Sequence, residues 1–180
     1  VLQRDDSSAG KVTEREDYLD YLNKEISQFI SRIIVLETNE GASAAISAYF
    51  KISGDIERIG DHALNIFGYT SRMKEKDIRF SDEAQEEIEK MCSLCMDVLD
   101  SLQDHTAKKL SRIAQLEQKN DDMTARFRQN QIDRIRKGSC SEEGCVLYSE
   151  MLTDFERIGD HALNISQSLY TAAQGFGEIV

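Results

Sequence analysis

Four carboxylate pairs share one spacing in this chain: Glu16/Asp20, Glu57/Asp61, Glu117/Asp121 and Glu156/Asp160. On a helix, residues four apart lie on one face with Cβ atoms about 5–6 Å apart, and like charges so placed repel. A cation relieves that repulsion. Converging carboxylate oxygens suit hard or borderline cations such as iron, manganese, magnesium or calcium. Two of the pairs sit in a phrase that occurs twice. DIERIGDHALNI runs from Asp55 to Ile66 and DFERIGDHALNI from Asp154 to Ile165, 99 residues apart and identical at eleven of twelve positions. A duplication that preserves only a core keeps apolar types. Here the retained letters include Asp, Glu, Arg, His and Asn, so the phrase carries chemistry twice.

The other retained polar residues take supporting places. Asn65 and Asn164 stand one turn further along the Glu–Asp face and are candidates for an oxygen ligand or a hydrogen bond. His62 and His161 follow the aspartates but point about 100° away. They are read as groups that support the site or touch a neighbouring helix, not as ligands. Arg58 and Arg157 are expected to form ion pairs between helices. Asp55 and Asp154 lie off the carboxylate face and are expected to be solvated or paired with an arginine. Gly60 and Gly159 inside a helix cost about 1 kcal/mol each relative to alanine. Close approach of another helix, or room for an ion, would justify that cost.

Five helices must position these groups. The apolar steps Leu19, Leu22, Ile26, Ile30, Ile33 predict helix A over about 12–37. The turn Thr38-Asn39-Glu40-Gly41 precedes helix B, about 42–74, which carries the first phrase. Ser81-Asp82-Glu83 opens helix C, to about 106; helix D covers about 108–137 and ends at Gly138-Ser139. Ser141-Glu142-Glu143 starts helix E, which ends near Gly175 and carries the second phrase. The duplication extends beyond the phrase. Glu16, Asp20, Leu22 and Ile26 match Glu117, Asp121, Met123 and Phe127 at an offset of 101, so A–B and D–E are repeated antiparallel hairpins. Asp20 lies about 19 residues before the first turn and Glu57 about 17 after it; Asp121 and Glu156 stand at about 17 and 16 from the second. At about 1.5 Å per residue, four carboxylates of each hairpin reach nearly one height. Helix C precedes D–E, and the same offset puts the end of its counterpart near residues 1–6, where Leu2-Gln3 matches Leu102-Gln103 at a spacing of 100. The expectation is an all-α protein of tandem three-helix bundles, residues 1–77 and 78–180, with the first helix of the first bundle missing.

Composition agrees. The chain has 180 residues and no proline, where average usage would supply about nine; long helices exclude proline. A net charge of −11 disfavours nucleic acid and anionic membrane surfaces and favours cations. No apolar run reaches the length of a membrane span, and no signal peptide is visible. The first residue is Val1, so the chain is read as a piece of a longer protein. Cys92, Cys95, Cys140 and Cys145 are expected to be reduced, with zinc held by all four as the alternative.

A metal-dependent regulatory domain accounts for the doubled polar phrase. A carboxylate-bridged di-iron enzyme would want Glu-x-x-His pairs on facing helices, and the chain has none. A purely structural helical module would not preserve polar identity between repeats. No G-x-S-x-G, H-E-x-x-H or P-loop occurs. No enzyme and no organic ligand is expected.

The repeated ERIGDHALNI at Glu57–Ile66 and Glu156–Ile165 resembles the signature of PhoU-like domains. So do REDYLDYLNKEI at Arg15–Ile26 and the run from Arg136 to Ile165, which are similar to the cytoplasmic region of bacterial sodium/phosphate cotransporter-family proteins. The resemblance covers essentially the whole chain. It implies tandem three-helix bundles that regulate phosphate uptake without catalysis. It implies multinuclear metal clusters, iron above all, with manganese, magnesium, calcium and zinc as alternatives. The implied ligands are Glu16, Asp20, Glu57, Asp61, Glu117, Asp121, Glu156 and Asp160. It also implies a membrane transporter domain in the same full-length chain and a place on the cytoplasmic face. Gln131 departs from the histidine often found there, at a position remote from the motif. A first bundle short of one helix would leave an apolar groove, from which a homo-oligomer is expected.

Overall fold

Asn39 turns the chain from the first long helix into the second, and that turn sets up the first hairpin. Its side chain accepts from the Ala42 amide at 2.9 Å, which starts the second helix two residues earlier than the spacing predicts. A computed structural model describes residues 9–103 and 107–177. Its helices are α1 (Ala9–Ile33), α2 (Glu40–Glu75), α3 (Asp82–Asp100), α4 (Ala107–Arg136) and α5 (Glu142–Gly177), with a 3-10 turn at Ser101–Gln103. All regular structure among the described residues is helical. Ser81 caps α3 and Ser141 caps α5. Gly138 ends α4 in the left-handed region, φ +64, where a side chain would be strained. α3 closes at Asp100, earlier than predicted, and gives way to the 3-10 turn. The expected counterpart of α3 near residues 1–6 lies outside the described residues.

α2 and α5 form the central seam and run antiparallel. Arg72 and Lys76 pair with Glu143 at one end, and Ala45 and Ala48 pack with Ala172 at the other. α1 lies on α2, and α3 and α4 lie on α5. The main core is gathered on the second hairpin. Ile88, Met91 and Cys95 of α3 meet Phe127 of α4 and Leu147, Tyr148, Met151 and Phe155 of α5, with Ile66 and Met73 reaching in from α2.

The repeat shows what the first hairpin lacks. Ile26, Tyr49 and Ile56 are 40%, 45% and 42% exposed, while their counterparts Phe127, Tyr148 and Phe155, under α3, are 2%, 1% and 3% exposed. Among the described residues no helix covers that first face. The apolar steps predicted for α1 are therefore only half realised: Ile30 is buried, Leu19, Leu22 and Ile33 are half-buried, and Ile26 is exposed.

The cysteines differ from the expectation. Cys140 and Cys145 form a disulfide. The Ser141 cap brings their Cα atoms to 6.3 Å, within the span a disulfide accepts. A zinc site using all four thiolates is thereby removed. Cys92 and Cys95 are free, and burial holds the Cys95 thiol up at about 12.

Candidate metal centre

Glu16 and Asp20 project from α1 toward Asp61 of α2, and carboxylate oxygens of all three lie within 4.8 Å of one another. Glu117, Asp121 and Asp160 repeat the arrangement between α4 and α5 within the same distance. Three of the four carboxylates expected in each hairpin thus converge, and Glu57 and Glu156 stand beside them. Glu57 still feels Asp61 and Asp20. Glu156 accepts from Arg128 Nη2 at 2.8 Å, and the same nitrogen donates to the Thr153 hydroxyl at 3.1 Å. By the repeat offset, Ser27 occupies the place of Arg128 in the first hairpin.

The glycines of the phrase let the helices approach. A Cβ on Gly60 would stand 2.7 Å from Leu19 Cδ1, and one on Gly159 would run into the Asn120 side chain. Leu19 and Asn120 are repeat equivalents, each one residue before the hairpin's Asp. Close approach at this level is what brings the α1 and α4 carboxylates to those of α2 and α5.

Repulsion is written into the charges. Burial, then Asp20 and Asp61, push the Glu16 carboxyl above its ordinary value. Burial, then Asp61 and Asp20, do the same to Glu57. Burial, then Asp121 and Asp160, raise Glu117, and burial, then Asp160 and Glu156, raise Asp121. One oxygen of Asp121 is buried with no hydrogen-bond partner. A set of oxygen donors that holds its protons tightly and strands one oxygen fits a hard cation. An acid whose folded pKa is raised binds protons more readily when folded, so it adds stability as pH falls. The chelator-treated protein is therefore expected to melt higher at about pH 5 than at pH 7. Thermal scans at the two values check this, and saturating Mn²⁺ should remove the difference.

The histidines do something else. His62 Nδ1 donates to Asp154 Oδ1 at 2.6 Å, and His161 Nδ1 donates to Asp55 Oδ1 at 2.8 Å. The two imidazoles stack across the seam with centroids 5.6 Å apart. Asp55 and Asp154 are both buried, which corrects the expectation of solvated or arginine-paired groups. Asn65 also leaves the carboxylate face: with His62 and Tyr69 it lines the face toward α5, and its Nδ2 approaches Asp154 Oδ1 at 3.4 Å. Burial, then Asp154, push the Tyr69 hydroxyl up. Asn164 is exposed. Arg157 pairs with Asp160 on its own helix at 3.0 Å, not between helices, because the i,i+3 reach is shorter. Arg58 is exposed beside Glu57. A signal for the crossed pairs was present in the sequence. Asp and His stand seven apart in each copy, two turns along one face, so antiparallel copies of the phrase place each Asp opposite the other's His.

Two repeated helical hairpins, each joining its helices through a cluster of carboxylates, define the class of protein. The PhoU domain model matches residues 1–70 and 82–169. This chain belongs to the PhoU domain family. It is 29% identical over 164 residues to the phosphate-specific transport system accessory protein PhoU homolog 1 of Thermotoga maritima, covering 89% of this chain and 71% of that protein. It is 26% identical over 169 residues to the PhoU homolog of Zymomonas mobilis, covering 93% and 71%. The crystal structure of the phosphate transport system regulatory protein PhoU from Streptococcus pneumoniae shares the fold with a TM-score of 0.81 at 21% identity, over 97% of this chain and 83% of that one. PhoU from Pseudomonas aeruginosa gives 0.76 at 20% identity, over 97% and 85%.

Proposed function

We propose that this chain is a non-catalytic regulatory domain of phosphate transport that holds a metal centre on each helical hairpin. The observation that carries the metal reading is the pair of triads, Glu16/Asp20/Asp61 and Glu117/Asp121/Asp160, built at repeat-equivalent positions. Glu57 and Glu156 act electrostatically on the aspartates of the triads, and their recruitment would allow more than one ion per cluster. An all-oxygen donor set favours iron, manganese, magnesium or calcium over zinc, because the histidines are engaged by Asp55 and Asp154. A cation bound only by the folded chain stabilises it by mass action and holds the two helices of a hairpin in one arrangement. The regulated partner is a phosphate-transport protein of the membrane. The resemblance to the cotransporter family points to a transporter domain in the same polypeptide and to the cytoplasmic face. Among the described residues no helix is long and apolar enough to cross a membrane.

Elemental analysis of untagged protein beside an Asp61→Asn/Asp160→Asn variant tests the metal. At least two equivalents of iron or manganese per chain, lost in the variant, are expected. Metal-free protein even after reconstitution, with melting unchanged by added ions, would end the metal reading and leave the phosphate-transport connection standing.

The exposed face of Ile26, Tyr49 and Ile56 carries a second proposal. Its equivalent in the other hairpin is sealed by α3, so we propose that a second copy of this chain covers it. Sedimentation across the micromolar range should give a dimer or larger. Ile26→Asp with Tyr49→Lys should give monomers. A native chain that is monomeric throughout overturns this.

A further inference from the structure

We propose that the two carboxylate clusters are coupled, and that the crossed His–Asp pairs are the coupling element. The proposal rests on the metal reading above. Each pair starts at the residue after one triad's aspartate and ends two residues before the glutamate that flanks the other triad. Asp61 is followed by His62, which holds Asp154, two residues before Glu156. Asp160 is followed by His161, which holds Asp55, two residues before Glu57. The two routes cross where the rings stack. They form a path of bonded and hydrogen-bonded groups, one of the kinds of network that can carry coupling between sites.

The path is stiff where it must transmit. Both aspartates are buried, and α2 and α5 are unbroken helices through the whole region. A cation drawing Asp61 toward Glu16 and Asp20 turns or shifts α2 at that level. His62 is the next residue, on a different face, so the shift acts directly on its bond to Asp154. The path is also uneven. Asp154 takes His62 and Asn65 on one oxygen and meets the Tyr69 hydroxyl as well, while Asp55 is held by His161.

The device also explains a letter count that metal ligation leaves unexplained. Ligands account for Glu and Asp at Glu57/Glu156 and Asp61/Asp160. The leading aspartates and the histidines of the phrase touch no ligand cluster, yet both copies retain them. Each copy must retain both, because each histidine is received by the other copy's aspartate.

Mn²⁺ titration of chelator-treated protein tests the coupling. Glu16→Gln with Asp61→Asn disables the first cluster, and the Kd of the second is read with and without that change. In the native background, disabling the first cluster should weaken Mn²⁺ at the second by about fivefold or more, the lower end of ordinary allosteric coupling. In an Asp55→Asn/Asp154→Asn background the weakening should fall below about twofold on the same scale. Through-space attraction from the lost carboxylates would act alike in both backgrounds. Equal weakening in the two, or none in the first, overturns the proposal while the full Mn²⁺ stoichiometry keeps the metal reading. No Mn²⁺ bound by the native protein overturns both. If the double asparagine variant does not fold, Asp154→Asn alone replaces it. That single change must reduce the coupling, and an unchanged value overturns the proposal.

Discussion

Glu87→Ala is expected to destabilise the fold by about 3–5 kcal/mol, the cost of breaking a buried ion pair by removing one partner. Glu87 is buried on α3. It accepts from Asn130 Nδ2 at 2.6 Å, from Arg134 Nη2 at 2.8 Å and from the Tyr148 hydroxyl. Burial pushes its carboxyl up, but the bonds from Arg134, Tyr148 and Asn130 together outweigh burial and hold it below the ordinary value. Alanine would leave the Arg134 guanidinium, whose side chain is only 11% exposed and which lies over the Tyr148 ring at 4.8 Å, with its Gln131 bond but without its ion-pair partner. Denaturant unfolding at pH 7 measures the loss. The acid limb gives a second reading. A depressed carboxyl contributes stability above its unfolded pKa and loses it as pH falls through the folded value. The native protein should therefore lose stability below about pH 4.5, and the variant should lose less over the same range. Glu87→Leu with Arg134→Met should recover only part of the loss: it removes the uncompensated charge, but Asn130 Nδ2 and the Tyr148 hydroxyl still lose their acceptor. A loss under about 1 kcal/mol in Glu87→Ala would mean that water replaces the carboxylate, and the pair would count as a surface one.

Glu87 marks where sequence reading stops. α3 carries Glu83, Glu86, Glu87 and Glu89, four acids in seven residues, and periodicity separates a buried one only when its partners are known. Those partners lie 43, 47 and 61 residues away, on two other helices. Helix existence, the hairpin repeat and the level carboxylates were all readable, because each rests on local spacing or on comparing the chain with itself. The triads needed one more fact. Asp61 and Asp160 turn inward with the α1 and α4 pairs, whereas Glu156 is held by Arg128, a residue the first hairpin lacks. The crossed His–Asp pairs went unread because Asp55 and Asp154 were weighed on their own helices. Their partners sit on the other copy of the phrase.

The same comparison yields the second large effect. Gly60 and Gly159 are one letter in two copies, yet their alanine variants should behave differently. Alanine in mid-helix gains about 1 kcal/mol of propensity over glycine at either place. At Gly60 the new Cβ would meet the end of the Leu19 side chain, 2.7 Å from Cδ1 and 3.9 Å from Cγ, and Leu19 is half-buried with room to turn. Gly60→Ala should be neutral or slightly stabilising. At Gly159 the new Cβ would collide with Asn120 Nδ2 and stand 3.3 Å from its Cγ. Asn120 is buried, and Nδ2 donates to the Phe155 carbonyl at 2.9 Å and approaches that of Glu156 at 3.4 Å. Its Oδ1 is already without a partner, so a turned amide finds no ready replacement. Overpacking costs about 1–3 kcal/mol and a buried donor left unmade about 1–3 more. Gly159→Ala should therefore lose about 1–5 kcal/mol net of the propensity gain. It should also spread Asp121 from Asp160, since Asn120 and Asp121 are neighbours on α4, and weaken metal at the second cluster alone. Gly159→Ala with Asn120→Ala separates the causes: removing the amide should restore stability, and a double variant as unstable as the single would place the strain in the α4–α5 backbone contact instead.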